Sequence, residues 1–179
     1  MLNKKILLIG DSITEGFNTK MFLPEFNILN KGVSGNNSDD LLKRIKTDLL
    51  AHSPEIVFIL IGTNDLAQGF SDAETISNVK NIVKKISSQL NKCKIYLTSI
   101  LPTRNNEPRP NERIKQLNKK LEKAAVKLNV GYLNLYPLFK DEEDQLRKEF
   151  TDDGLHLNES AYKTWAKYLK EFLEKLQLS

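Results

Sequence analysis

The stretch "KKILLIGDSITEG", residues 4–16, gives the clearest indication of the fold. Its apolar run, Ile6 to Ile9, is unbroken and passes through Gly10 into a short polar turn. A strand that is apolar at every position, rather than at alternate ones, is typical of a parallel sheet covered on both faces. The stretch therefore predicts the first strand of an α/β sheet, with Ser12 in the turn at its carboxyl end.

Four more short apolar runs are predicted as strands: Phe26 to Leu29, Ile56 to Ile61, Ile95 to Ile100 and Tyr132 to Leu135. Amphipathic helical patterns lie between them. They follow Ser38, the capping box of Ser71 and Glu74, the pair Pro110-Asn111, and the N-cap residue Asn158. This alternation predicts a three-layer α/β sandwich around a five-stranded parallel sheet. Since no linker or repeat interrupts it, residues 1–179 are predicted to form a single domain.

Composition narrows the classes of partner. The net charge of +4 raises the question of nucleic acid, but the lysines alternate with acids along predicted helices and have no aromatic stacking platform among them. No segment approaches the roughly 18 consecutive apolar residues of a membrane helix, so no stable membrane insertion is expected. The N-terminal apolar run is shorter than the roughly 7 to 15 residues of a secretory signal. Together with a single cysteine, Cys93, this predicts a cytoplasmic protein.

Ser12 has three possible roles in this turn. The phosphate-loop role fails on spacing, because neither Gly-Lys-Ser/Thr after a glycine-rich loop nor G-x-G-x-x-G is present. A helix cap is the plain alternative for one serine after one strand. The third role is a nucleophile, which needs a base to take the hydroxyl proton and an acid to orient that base.

Candidates for those partners stand elsewhere in the chain. In "DGLH", Asp153 precedes His156 by three residues, so its carboxylate can accept the Nδ1 proton and leave Nε2 free as a base. Asp152 is a rival acid, and Asp153 could instead serve the turn amides. Oxyanion donors could come from the Asn64 side chain and the Gly35 backbone N–H, although both residue types are also common turn formers.

The segments "GDSITEG", "NKGVSGNNSDDLL", "GTND" and "DGLHL" together resemble, in order, the four sequence blocks of the SGNH hydrolases, also called the GDSL esterase/lipase family. The resemblance implies a flavodoxin-like strand order 2-1-3-4-5 and no metal or organic cofactor. It implies Ser12 as nucleophile, His156 as base and Asp153 as its acid, with the oxyanion held by Ser12, Gly35 and Asn64. The first block has Asp-Ser-Ile in place of Asp-Ser-Leu, which leaves the reacting groups unchanged.

The predicted function is that of a serine esterase acting on a small-molecule ester through an acyl-enzyme. The connecting loops are short, and Phe17 and Phe70 are their candidates for an apolar entrance. This favours removal of a small acyl group, such as acetyl, from a polar alcohol such as a carbohydrate or a phospholipid-derived substrate. The alternatives are a lysophospholipase or acyl-CoA thioesterase with the same triad, and a non-catalytic binding module.

Overall fold

The computed structural model describes residues 4–177. Its strands are β1 (Ile6–Gly10), β2 (Ile28–Gly32), β3 (Ile56–Leu60), β4 (Lys94–Thr98) and β5 (Gly131–Leu133). Its helices are α1 (Ser12–Glu15), α2 (Thr19–Phe22), α3 (Ser38–His52), α4 (Thr63–Ala67), α5 (Asp72–Gln89), α6 (Asn111–Leu128), α7 (Tyr136–Phe139) and α8 (Glu159–Gln177), with a 3-10 turn at Lys148–Phe150. The strands are all parallel in the order β2-β1-β3-β4-β5, which confirms the predicted fold class.

Both faces of the sheet are buried. Along β1, Ile6 and Leu8 pack into the core on one face, where α8 contributes Trp165, while Leu7 and Ile9 pack into the core formed with α3, α5 and α6. Alternate side chains of a strand point to opposite faces, so a strand covered on both sides must be apolar throughout. This double burial accounts for the unbroken apolar run in the sequence.

The bounds of β2 differ most from the prediction. The strand begins at Ile28 rather than Phe26 and runs on to Gly32 through two polar residues, Asn30 and Lys31. Because β2 lies at the sheet edge, these side chains are only half buried, and hydrophobic periodicity could not include them. Asn30 instead donates from Nδ2 to the Thr14 carbonyl and accepts from the Gly32 N–H at 2.8 Å.

The register of the strands places the ends of β1, β2 and β3 at the same level of the sheet. Gly10 at the end of β1 pairs with Gly32 at the end of β2 on one side and with Leu60 at the end of β3 on the other. A Cβ on Gly32 would lie 2.1 Å from the backbone nitrogen of Glu15, so only glycine permits α1 to pass so close. The segments that follow β1, β2 and β3 therefore start side by side at one sheet edge, where ligands bind in open parallel sheets.

Among residues 4–177, no helix combines the length and the apolar character needed to cross a bilayer. Two predicted helix starts are confirmed. Ser71 and Glu74 form the capping box of α5, and the Asn158 side chain accepts from the Ala161 N–H at 3.2 Å at the start of α8.

Candidate active site

Ser12 is the first residue of α1, directly after the turn that ends β1. The cap of this helix is Asp11, whose Oδ1 accepts from the Ile13 N–H at 3.0 Å, so the helix-cap role considered for Ser12 belongs to its neighbour. The Ser12 hydroxyl lies instead 3.0 Å from Nε2 of His156, across 144 residues of sequence. A hydroxyl at that distance from an imidazole nitrogen can pass its proton to it.

His156 is oriented from its other ring nitrogen. Its Nδ1 lies 2.6 Å from Oδ2 of Asp153, and the contact comes from Asp153 rather than from the rival Asp152. Oδ1 of Asp153 also accepts from the backbone N–H groups of Leu155 and His156, at 2.9 and 2.7 Å. One carboxylate thus closes the turn and fixes the imidazole, so both roles considered for Asp153 are filled together.

Asp153 keeps its charge at all ordinary pH values. Burial acts to raise its pKa, but the hydrogen bond to His156 and the N–H groups of Leu155 and His156 outweigh it and lower the pKa to about 2. A carboxylate that accepts from Nδ1 fixes the tautomer and the orientation of the imidazole, which leaves Nε2 free to accept a proton. The pair is therefore electrostatically suited to base chemistry.

The other two predicted site residues follow the neighbouring strands. Gly35 lies in the loop after β2 with φ of +78°, and a Cβ added there would meet nothing within 4 Å, so its backbone faces open space. Asn64 lies in α4 after β3 and is only 8% exposed. Its Nδ2 donates to the Asn36 carbonyl at 2.9 Å, which ties the Gly35 loop to the Asn64 turn.

Two further charged residues brace these loops. Arg44 donates from Nη2 to the Gly10 carbonyl at 2.9 Å and from Nε to Oδ1 of Asn36 at 2.6 Å, linking the end of β1 to the Gly35 loop. The buried Asp65 accepts from the backbone N–H of Ser38 at 2.9 Å and from its hydroxyl. Neither Arg44 nor Asp65 was predicted from the sequence. A charged residue at a helical position looks the same in sequence whether its side chain faces solvent or contacts a neighbouring loop.

One predicted entrance residue is misplaced. Phe17 is 1% exposed and stacks on Trp165 with ring centroids 4.7 Å apart, so it belongs to the core beneath α8. Phe70 is half buried and ends the turn after α4. The expectation of two aromatic side chains at the cleft was therefore wrong for Phe17, since a loop position does not by itself show which way a side chain points.

Asp11, which directly precedes Ser12, is a buried acid. It is 0% exposed, and within the described chain its Oδ2 has no hydrogen-bond partner. Burial raises its pKa to about 7 despite the hydrogen bond from the Ile13 N–H. Ionising this carboxyl in the folded protein is therefore unfavourable.

We expect Asp11→Asn to increase the free energy of unfolding at pH 8. The unfolded chain releases the Asp11 proton near the ordinary value of 3.8, while the folded protein holds it until about pH 7. Between those values stability falls by about 1.4 kcal/mol per pH unit, about 4 kcal/mol in all as an upper bound. Asparagine keeps the acceptor for the Ile13 N–H. Urea unfolding should show near-equal stabilities at about pH 4 and a clear gain at pH 8; an equal difference at both values would contradict the burial argument.

No group of three or more His, Cys, Asp and Glu side chains within residues 4–177 is arranged to hold a metal ion. The residues described above bring a hydroxyl, an imidazole with its carboxylate, and several N–H donors together at one sheet edge.

Comparison with known proteins places these features in context. Residues 8–164 match the GDSL-like Lipase/Acylhydrolase family. The chain is 30% identical to the N-acylneuraminate cytidylyltransferase of Escherichia coli O18:K1:H7, over 88% of this chain but 37% of that protein's length. It is 25% identical to thioesterase 1/protease 1/lysophospholipase L1 of Escherichia coli K12, over 96% of this chain and 84% of the relative. A GDSL-like lipase from Bacteroides thetaiotaomicron superimposes with a TM-score of 0.86 at 28% identity, covering 97% of this chain and 89% of the other.

Proposed function

This chain belongs to the GDSL-like lipase/acylhydrolase family, and we propose that it hydrolyses ester bonds with Ser12 as its nucleophile and with His156 and Asp153 completing the triad. The observation that carries the proposal is a single line of contacts. Ser12 Oγ lies 3.0 Å from Nε2 of His156, and Nδ1 of the same ring lies 2.6 Å from Asp153. The non-catalytic binding module is set aside, because the family is one of ester hydrolases.

The reaction proceeds through an acyl-enzyme. His156 takes the Ser12 proton at Nε2 as Oγ attacks the ester carbonyl, and Asp153 stabilises the resulting imidazolium. The developing oxyanion accepts hydrogen bonds from the N–H groups of Ser12 and Gly35 and from Nδ2 of Asn64. Collapse breaks the carbon–oxygen bond to the alcohol, which leaves with the proton from His156. A water then attacks the acyl-enzyme with His156 as base, releasing the acid and restoring Ser12.

The substrate proposed is a small acyl ester of a polar alcohol, such as an acetylated carbohydrate or a phospholipid-derived ester. Because Phe17 lies in the core, Phe70 is the one predicted aromatic entrance residue that could still line the cleft. The exposed large hydrophobic residues of the described chain are Met21, Val33 and Val126, which lie on three different segments. The side chains that the loops after β2 and β4 bring to the site's surroundings include several amides and Arg109.

A second candidate is hydrolysis of thioesters or lysophospholipids. The E. coli relative whose name includes those two activities is 25% identical to this chain, over 96% of this chain and 84% of the relative. Cleavage of an acyl-CoA and of an ester of the same acyl group would require the same nucleophile and base. Comparing kcat/KM on acetyl-CoA, palmitoyl-CoA, acetylated sugars and lysophosphatidylcholine separates the candidates.

We expect kcat/KM on p-nitrophenyl esters to be highest for acyl groups of about two to four carbons and to fall with length. Each methylene gains roughly 0.8 kcal/mol on burial, but only where the protein supplies apolar surface to receive it. The measurement compares acetyl, butyryl, octanoyl and palmitoyl esters below their solubility limits. A maximum at eight carbons or beyond would favour the lysophospholipase or thioesterase alternative.

A further inference from the structure

Arg109 reaches the site from the loop between β4 and α6. Its Nε donates to the Thr63 carbonyl at 3.1 Å, and its Nη2 donates to Oδ1 of Asn64 at 3.1 Å. The loop holds it firmly, because its carbonyl accepts from the Thr103 hydroxyl at 2.7 Å and its N–H donates to the Asn106 carbonyl at 3.0 Å. The guanidinium thus donates hydrogen bonds both to the backbone and to the Asn64 side chain of the turn after β3.

These contacts define the orientation of the Asn64 amide. Oδ1 faces the Arg109 donor, and one N–H of Nδ2 points to the Asn36 carbonyl at 2.9 Å. A flipped amide would set N–H against guanidinium N–H and oxygen against the carbonyl oxygen, losing both hydrogen bonds. With the oxygen and one N–H committed, the planar group keeps one N–H in a fixed direction.

The positive charge of Arg109 is not neutralised by an ion pair with any described residue. Within residues 4–177, none of the ion pairs involves Arg109. Its side chain is partly buried, and its charge is one hydrogen bond away from the Asn64 amide. A cation on Oδ1 polarises an amide so that its N–H groups become stronger donors, an effect that grows where water is partly excluded.

We propose that Arg109 is a positioning residue of the oxyanion hole: it fixes and polarises the Asn64 amide so that its second N–H is aimed at the developing oxyanion. This rests on the function proposed above, in which Asn64 is an oxyanion donor. Arg109 acts through Asn64 and does not itself touch the reacting atoms. Its contribution therefore appears in the transition state and depends on the presence of the amide.

The test is a double-mutant cycle with Asn64→Ala and Arg109→Met, measured on p-nitrophenyl acetate. Methionine keeps the length and much of the apolar stem of arginine but removes every donor. We expect Arg109→Met alone to lower kcat by about ten- to a hundredfold with KM changed by less than about threefold, and to lower it by less than about threefold in the Asn64→Ala protein. Arg109→Lys, which keeps the charge but has a single donor nitrogen, should lie between wild type and Arg109→Met.

Arg113→Met is the matched control, because Arg113 contacts Phe70 and Asp72 rather than Asn64. It should leave kcat unchanged, and thermal melts should show the variants folded; Arg109→Lys carries the test if Arg109→Met unfolds. An equal loss from Arg109→Met in both backgrounds overturns the proposal, as does a loss confined to KM, which would make Arg109 a substrate-binding residue. An Asn64→Ala protein with unchanged kcat would instead refute the oxyanion role of Asn64, and the positioning role with it.

Discussion

Ser12→Ala is expected to abolish ester hydrolysis while leaving the protein folded. Loss of the nucleophile of a serine hydrolase costs on the order of 10⁶ in kcat, because neither the base nor the oxyanion donors can then form an acyl-enzyme. The fold should survive, since the hydroxyl's contact is with His156 and the cap of α1 comes from Asp11. Alanine is also a better helix former than serine.

Initial rates on p-nitrophenyl acetate and thermal melts of both proteins provide the measurement. Ser88→Ala is a matched control, because Ser88 lies in α5 and its hydroxyl bonds only back to the Lys85 carbonyl at 3.0 Å. It should retain wild-type rates. Hydrolysis by Ser12→Ala at a rate near that of wild type would remove Ser12 from the mechanism.

Asn64→Ala is expected to lower kcat by about a hundred- to a thousandfold with a much smaller change in KM. In the proposed mechanism the amide donates to the oxyanion, which exists in the transition state and not in the bound ester, so its loss should lower kcat. The substitution also frees the Asn36 carbonyl and the Arg109 guanidinium from their partner, so the melting temperature must be measured alongside.

The control is Asn81→Ala, which removes an exposed amide from the surface of α5. It should leave both kinetic constants unchanged. If Asn64→Ala mainly raised KM, Asn64 would be a substrate-binding residue, and the oxyanion would rely on the backbone N–H groups of Ser12 and Gly35.

Local patterns in the sequence were sufficient for most strands of the sheet and for the starts of the four long helices α3, α5, α6 and α8. Burial on both faces produces the unbroken apolar run of β1, and capping produces the residue patterns at Ser71 and Asn158. Both patterns can be recognised in sequence, because each involves residues only a few positions apart. The short Asp153-to-His156 spacing likewise allowed the contact now seen at 2.6 Å to be predicted. The predicted bounds of β2 were wrong, because this edge strand contains polar residues that hydrophobic periodicity does not detect.

Contacts between distant segments required the tertiary structure. The sequence alone predicted a parallel α/β fold, because burial on two sheet faces leaves its pattern in neighbouring positions. The candidate site residues were indicated by their residue types and by the resemblance to known sequence blocks. Only the folded chain shows that Phe17 lies under α8, that the buried Asp11 Oδ2 has no hydrogen-bond partner among residues 4–177, and that Arg109 donates to the Asn64 amide from 45 residues away. The burial and the hydrogen-bond partner of a side chain depend on which segments the sheet order brings together, and no local pattern encodes that order.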